Sequence, residues 1–232
     1  MDAKKDTIKA NLEGIMAALP KDVTLLAATK TVSPEYINYA ASLGLRLMGE
    51  NRVNELLEKY DAIDKSKLDI HFIGALQSNK VKYIIDKVSM IHSVDRLSLA
   101  EEISRRALAI GKVMPVLVEV NIGKEESKSG VMPEEVLGFV RKISALKGIS
   151  VEGLMAIPPK SENKEKNIEF LQKIKQIFID ISTKNVDNVN MRILSVGMSN
   201  DWREAIECGS NMVRIGSGIF GKRDYGIPPQ EN

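Results

Sequence analysis

Short β-branched or apolar runs recur at residues 23–28, 46–49, 70–74, 90–94, 116–122, 151–157, 192–197 and 212–215, and each reads as a buried strand. Between them, apolar positions return three and four residues apart, as in 96–110, 133–146 and 164–182, which is the spacing of one helix face. A further amphipathic segment near residues 3–18 precedes the first run. Strand followed by helix needs parallel pairing with right-handed crossovers, and eight such units match the number that closes a barrel. The pattern therefore predicts an α/β chain: one (β/α)8 TIM barrel over residues 1–232 with an additional N-terminal helix. An open, doubly wound sheet is the alternative.

Helix boundaries are marked by residue type. Ser33-Pro34-Glu35 places a capping hydroxyl before a first-turn proline, and Met132-Pro133-Glu134-Glu135 adds acids that suit the positive end of a helix dipole. Gly44, Gly111, Gly148 and Gly209 each follow a helical segment where a left-handed cap is expected.

In such a barrel the chemistry belongs at the C-terminal ends of the strands. The residues there are polar: Lys30 after the first run, Glu50-Asn51 after the second, Gln77-Ser78-Asn79 after the third, Asn121 near the end of the fifth, Ser199-Asn200 after the seventh and Gly216-Ser217-Gly218 after the eighth. A lysine amine among apolar neighbours is a nucleophile toward an aldehyde, against the simpler reading of Lys30 as a solvated loop charge. Loops after strands seven and eight often build a phosphate site in barrels. Here Gly197-Met198-Ser199 and Gly216-Ser217-Gly218 offer closely approaching N–H groups and hydroxyls. Alternation along Met212-Val213-Arg214-Ile215 sets Arg214 on the face opposite Val213 and Ile215, toward the barrel mouth. A phosphate, a carboxylate such as Glu50, a ring nitrogen or a purely structural ion pair would each satisfy it.

Composition narrows the partners. With 33 basic and 31 acidic residues, the net charge of +2 gives no field to recruit nucleic acid or an anionic membrane, so a small molecule is expected. No apolar run approaches the roughly 20 residues needed to span a bilayer. The start, Met1-Asp2-Ala3-Lys4-Lys5-Asp6, is neither a signal core nor a transit peptide, so a cytoplasmic location is expected. One cysteine, Cys208, excludes an internal disulfide and a multi-cysteine metal site, and it reads as structural. His71 and His92 lie inside strands without carboxylates at ligand spacing, and no metal is expected. Trp202 reads as an aromatic at a helix start that packs on its own barrel, with covering a ligand's edge as the alternative. Gly216-Ser217-Gly218-Ile219-Phe220-Gly221 fits the dinucleotide pattern G-x-G-x-x-G, but eleven residues after Gly221 leave no room for its helix and second strand.

The ordered motifs Leu25-Leu26-Ala27-Ala28-Thr29-Lys30-Thr31, Gly49-Glu50-Asn51, His71-Phe72-Ile73-Gly74-Ala75-Leu76-Gln77-Ser78-Asn79-Lys80 and Ser127-Lys128-Ser129-Gly130 carry a resemblance. So do Gly153-Leu154-Met155-Ala156-Ile157, Gly197-Met198-Ser199, Met212-Val213-Arg214-Ile215-Gly216 and Ile219-Phe220-Gly221-Lys222-Arg223-Asp224-Tyr225. From about residue 20 to 225 the chain resembles the pyridoxal phosphate homeostasis family, also called YggS or PROSC.

The resemblance implies a barrel like the N-terminal domain of alanine racemase, with pyridoxal 5'-phosphate held as a Schiff base on Lys30. It also implies that Ser199, Gly216 and Ser217 take the phosphate, that Arg214 faces the pyridine nitrogen, and that Asn51 lies near the ring. The family often has Ser at the position of Thr29 and Thr at that of Ser217, and both exchanges keep the hydroxyl. The function implied is intracellular vitamin B6 homeostasis without turnover, with pyridoxal-phosphate-dependent apoenzymes as recipients and the protein a monomer. The alternative is a racemase or related enzyme, which would need a second base opposite Lys30.

Overall fold

Eight parallel strands close on one another in sequence order, β1-β2-β3-β4-β5-β6-β7-β8, in the computed structural model, which describes residues 2–159 and 163–221. The strands are β1 (Thr24–Ala28), β2 (Leu47–Glu50), β3 (Asp69–Phe72), β4 (Met90–Val94), β5 (Met114–Val120), β6 (Ile149–Ala156), β7 (Val189–Ser195) and β8 (Met212–Ile215). Closure is made by β1 against β8, with Leu26 level with Arg214 and Ala27 with Ile215. The fold is the TIM barrel expected from the strand–helix alternation.

Successive side chains point to opposite faces of a strand, so each strand feeds two cores. Outward residues such as Ala27, Met48, Phe72, Ile91, Val118 and Val213 join the buried faces of the surrounding helices in one large cluster. Fully burying each such aliphatic or aromatic side chain contributes about 1.5–3 kcal/mol. The inward set is smaller and divided: Leu26, Leu47, Ile73 and Met212 form one patch, Met90, Leu117 and Met155 another, and Ile193 touches both. The remaining interior positions carry polar groups, which is where the site begins.

The helices are α1 (Ala3–Ala18), α2 (Pro34–Ser42), α3 (Val53–Tyr60), α4 (Leu97–Ala109), α5 (Val136–Ser144), α6 (Lys164–Ser182), α7 (Trp202–Glu207) and the short α8 (Ser217–Phe220). The Asp2 carboxylate caps α1 by accepting from the Lys4 N–H at 3.0 Å. Ile8 and Leu12 of α1 enter the outer core, and Asn11 donates to the Ile219 carbonyl at 3.2 Å, tying α1 to α8.

Two local expectations change. Gly44, Gly111 and Gly209 have φ of 109°, 68° and 93° and are left-handed caps, whereas Gly148 is not among the positive-φ glycines. Gly148 is required for close approach instead, because a Cβ there would lie 2.1 Å from the Ser104 carbonyl oxygen. The β3–β4 connection carries a 3-10 helix, Ser78–Tyr83, and a 3-10 turn, Pro133–Glu135, precedes α5. Among the described residues no helix is long and apolar enough to cross a membrane.

Candidate functional site

Lys30 stands two residues beyond β1 and continues the inward parity of Leu26 and Ala28, which pack on the interior cluster. It is half-buried, and the backbone on both sides of it is gripped. Thr29 is fully buried; its N–H and hydroxyl both donate to the Gly49 carbonyl, at 3.0 and 3.2 Å, and the hydroxyl also reaches Glu50 Oε1 at 2.7 Å. Lys59 Nζ then donates to three oxygens: the Thr29 carbonyl at 2.9 Å, Glu50 Oε1 at 2.9 Å and Glu55 Oε1 at 2.6 Å. Glu55 in turn accepts the backbone N–H of Thr31.

Glu55 and Lys59 meet because residues four apart share one helix face, and α3 lays that face over the end of β2. Burial pushes the Glu50 carboxyl above its ordinary range, and Lys59 and the Thr29 hydroxyl offset that only in part. Burial also opposes the charged form of Glu55, but hydrogen bonds from Lys59 and Thr31 outweigh it and hold that carboxyl below its usual range.

Thr31 has φ of 65°. Four non-glycine residues share the left-handed region among the described residues, and Thr31 alone of them is β-branched. Such a conformation costs about 1–3 kcal/mol and persists where the surroundings fix it.

At β7 and β8 the construction is different. Gly197 has φ of 97°, and a Cβ there would lie 2.7 Å from the Ala205 Cβ and 3.1 Å from the Trp202 Cα. Its carbonyl accepts the Arg214 N–H at 2.9 Å, which joins the two strand ends. Beyond it the backbone N–H groups of Gly216 and Gly218 converge on Ser199 Oγ, at 3.3 and 3.1 Å. Two main-chain donors thus meet at one oxygen beside the strand end that neighbours β1.

Below them lies Arg214, 4% exposed. Its Nη1 donates to the Ser195 carbonyl at 2.6 Å and to Ser195 Oγ at 2.7 Å, and Nη2 to the Ala156 carbonyl at 3.0 Å. A guanidinium has five N–H groups, so these bonds leave donors over. Burial lowers its pKa to about 10, with Glu119 and Asp201 opposing, and it stays protonated at neutral pH.

The opposite half of the interior is only partly paired with itself. His71 Nδ1 and His92 Nε2 are 2.9 Å apart, and burial pulls both rings down, His71 to about 4. Among the described residues, His92 Nδ1 and Ser93 Oγ are buried without a hydrogen-bond partner. Ser129 donates to Glu119 at 3.1 Å, and burial raises the Glu119 carboxyl.

The expected site residues therefore divide. Lys30, Asn51, Ser199, Gly216 and Ser217 occupy the ends of four consecutive strands, β2-β1-β8-β7, with Arg214 one layer below; Asn51 and Ser199 are half-buried, Gly216 buried and Ser217 exposed. The rest of the polar rim does not converge. Asn121 turns into its own loop, donating to the Glu125 carbonyl at 2.8 Å and accepting the Glu125 N–H at 3.1 Å, while Gln77 and Asn79 are exposed. Glu50 is not the partner of Arg214: it shares the outward parity of Met48 and so meets Lys59 of α3. Trp202 is 5% exposed at the start of α7 and packs into the outer core, as its helix-start position suggests. Cys208 packs against the same core. Tyr225 and the end of the last motif lie outside the described residues.

Sequence reasoning missed the Lys59–Glu55 pair and the histidine pair. Glu55 and Lys59 show the helical spacing of a surface pair, and His71 and His92 share inward parity on neighbouring strands, but neither pattern by itself marks a site.

Comparison with known proteins places the chain in a family. The family model for the N-terminal domain of alanine racemase matches residues 4–224. A pyridoxal phosphate homeostasis protein of Aquifex aeolicus is 46% identical over 201 residues, which cover 87% of each chain. One from Escherichia coli is 36% identical over 211 residues, covering 89% of this chain and 88% of that one. The structure of PipY from Synechococcus elongatus with pyridoxal phosphate bound has a TM-score of 0.85 at 29% identity, over 92% of this chain and 100% of that one. Alanine racemase from Clostridium difficile shares the fold, with a TM-score of 0.80 at 19% identity, over 95% of this chain and 58% of the racemase. The chain belongs to the pyridoxal phosphate homeostasis protein family, built on the barrel of the alanine racemase N-terminal domain.

Proposed function

We propose that this protein binds pyridoxal 5'-phosphate through Lys30 and serves intracellular vitamin B6 homeostasis without catalytic turnover. The observation that carries this reading is the pairing, at neighbouring strand ends, of a clamped lysine turn with two backbone N–H groups converging on Ser199 Oγ. The residues fit the group: an amine for its aldehyde, main-chain and hydroxyl donors for its phosphate, and a buried cation with donors to spare for its ring nitrogen. When bound, pyridoxal phosphate supplies an aldehyde that condenses with a primary amine and a ring that withdraws electrons from it.

In this reading Lys30 is the covalent anchor. Ser199, Gly216 and Ser217 bind the phosphate through hydroxyl and N–H donors at the start of α8. Arg214, protonated and fixed by Ser195 and Ala156, takes the pyridine nitrogen as a hydrogen-bond acceptor, which keeps that nitrogen proton-free and the ring a weak electron sink. Asn51 borders the ring.

Two-sided proton transfer in a racemase would need a base opposite Lys30. Among the described residues, Tyr36 and Tyr39 lie on α2, Tyr60 on α3 and Tyr83 in the 3-10 helix, and none of these stands at a strand end; Tyr225 lies outside the described residues. The protein acts in this reading as a cytoplasmic monomer, one barrel forming the whole cofactor unit, with pyridoxal-phosphate-dependent apoenzymes as recipients.

The test is the visible absorption spectrum of the protein and of Lys30→Ala after pyridoxal phosphate is added and the excess removed, followed by borohydride reduction and peptide mass mapping. An absorbing species trapped on Lys30 and absent from the variant is expected. Labelling scattered over surface lysines would overturn the reading.

A further inference from the structure

Among the described residues Lys30 has no side-chain partner that explains why its turn adopts the conformation it does; the explanation lies on α3. The turn is unfavourable in itself, because Thr31 is a β-branched residue at φ of 65°. Its N–H is nevertheless taken by the Glu55 carboxylate, and that same oxygen also accepts from Lys59 Nζ at 2.6 Å. Lys59 continues to the carbonyl of Thr29, so one ammonium and one carboxylate hold the residues on either side of Lys30. Glu50 and the Thr29 hydroxyl complete the lattice beneath.

We infer that Glu55 and Lys59 are positioning residues for Lys30: they hold the Thr29–Thr31 turn left-handed, and so present the Lys30 amine to the barrel mouth in one orientation. Neither touches the cofactor in this account. The inference rests on the reading of Lys30 as the anchor. Its mechanism is nonetheless a property of the chain alone: remove the acceptor from Thr31, and the strained backbone relaxes to negative φ and carries the lysine with it.

The account makes a prediction that a merely stabilising ion pair does not. Glycine populates the left-handed region without penalty, so Thr31→Gly should make the Glu55 acceptor dispensable. Two readouts on the full chain serve: the rate at which added pyridoxal phosphate forms the Lys30-linked absorption band, and the rate at which an acetylating reagent labels Lys30 in cofactor-free protein, followed by peptide mass mapping.

Glu55→Met should slow band formation about tenfold, the cost of a left-handed non-glycine turn expressed as a rate. Glu55→Gln, which keeps the oxygen, should stay within about threefold of wild type, as should Thr31→Gly, and Thr31→Gly with Glu55→Met should recover to the same level. A folded Glu55→Met with the wild-type rate, or with a loss that Thr31→Gly does not relieve, overturns the inference. If Glu55→Met folds only with Thr31→Gly, the inference is supported; if neither folds, the loss is not turn strain and it falls. Absence of the band from wild type refutes Lys30 as the anchor, while the labelling rates still decide whether Glu55 sets the turn.

Discussion

The Lys30 turn and the β7–β8 loops stand at neighbouring strand ends and open on the same barrel mouth, yet they are held by different chemistry. Around Lys30 the contacts are made by charged side chains, Lys59 joining two carboxylates and a carbonyl in a nearly dry space. Around Ser199 they are made by the backbone: Gly197 folds where no side chain fits, and two N–H groups converge on a hydroxyl. A charged lattice fixes a nucleophile sharply but makes its surroundings sensitive to protonation. A backbone nest binds an anion with donors that do not titrate.

The largest effect that would sharpen this contrast is Lys59→Met. It strands the Glu50 carboxylate, whose side chain has no solvent exposure, and breaking a buried pair from one side costs about 3–5 kcal/mol. The sign with pH follows from Glu50. Burial already raises its pKa in the fold, and loss of the ammonium raises it further, so the folded state binds more protons than the unfolded one above the ordinary carboxylate range. Stability of the variant should therefore fall as pH rises. Urea unfolding at pH 5 and pH 8 should show the larger deficit at pH 8, and an equal deficit at both would mean that the lattice is not electrostatic.

The matching change on the other side is Gly197→Ala. The φ of 97° and the 2.7 Å approach to Ala205 leave no place for a Cβ, and strain of this kind costs about 1–3 kcal/mol. No ionisable group is altered, so the same urea titrations should give the same deficit at both pH values. A deficit that grew with pH would erase the distinction between the two regions.

That distinction also explains what the sequence disclosed. The barrel was legible because strands buried on both faces read as apolar runs, and the helices between them repeat at 3.6 residues. Lys30, Ser199, Arg214 and Gly216 were legible because each is a polar or glycine position at the end of such a run, and that end faces the mouth. Glu50 has the same local appearance but sits one residue out of inward parity, so it meets α3 and not Arg214, for which it is only one of several candidate partners in the sequence. Glu55 and Lys59 look like an ordinary surface pair at helical spacing. Only the packing of α3 over β2 turns them inward, and that depends on the closed barrel rather than on any window of sequence. The histidine pair failed to register for a related reason: its two members meet across neighbouring strands, 21 residues apart.

The smallest of these changes bears most closely on binding. Ser199→Ala removes the oxygen on which the Gly216 and Gly218 N–H groups converge, but leaves both donors in place. The hydroxyl's own hydrogen bonds are worth about 1 kcal/mol each, and the Gly218 donor is half-buried while that of Gly216 is buried, so the melting temperature of the cofactor-free protein should fall by only about 2–4 °C. Affinity for pyridoxal phosphate, measured by titrating the Lys30-linked band, should drop about tenfold, one charge-assisted hydrogen bond, while the band still forms at saturation. Unchanged affinity would mean that the backbone alone takes the phosphate and the serine only braces the loops. Complete loss of the band would mean that the hydroxyl dominates, and the two sides of the mouth would then both depend on side chains.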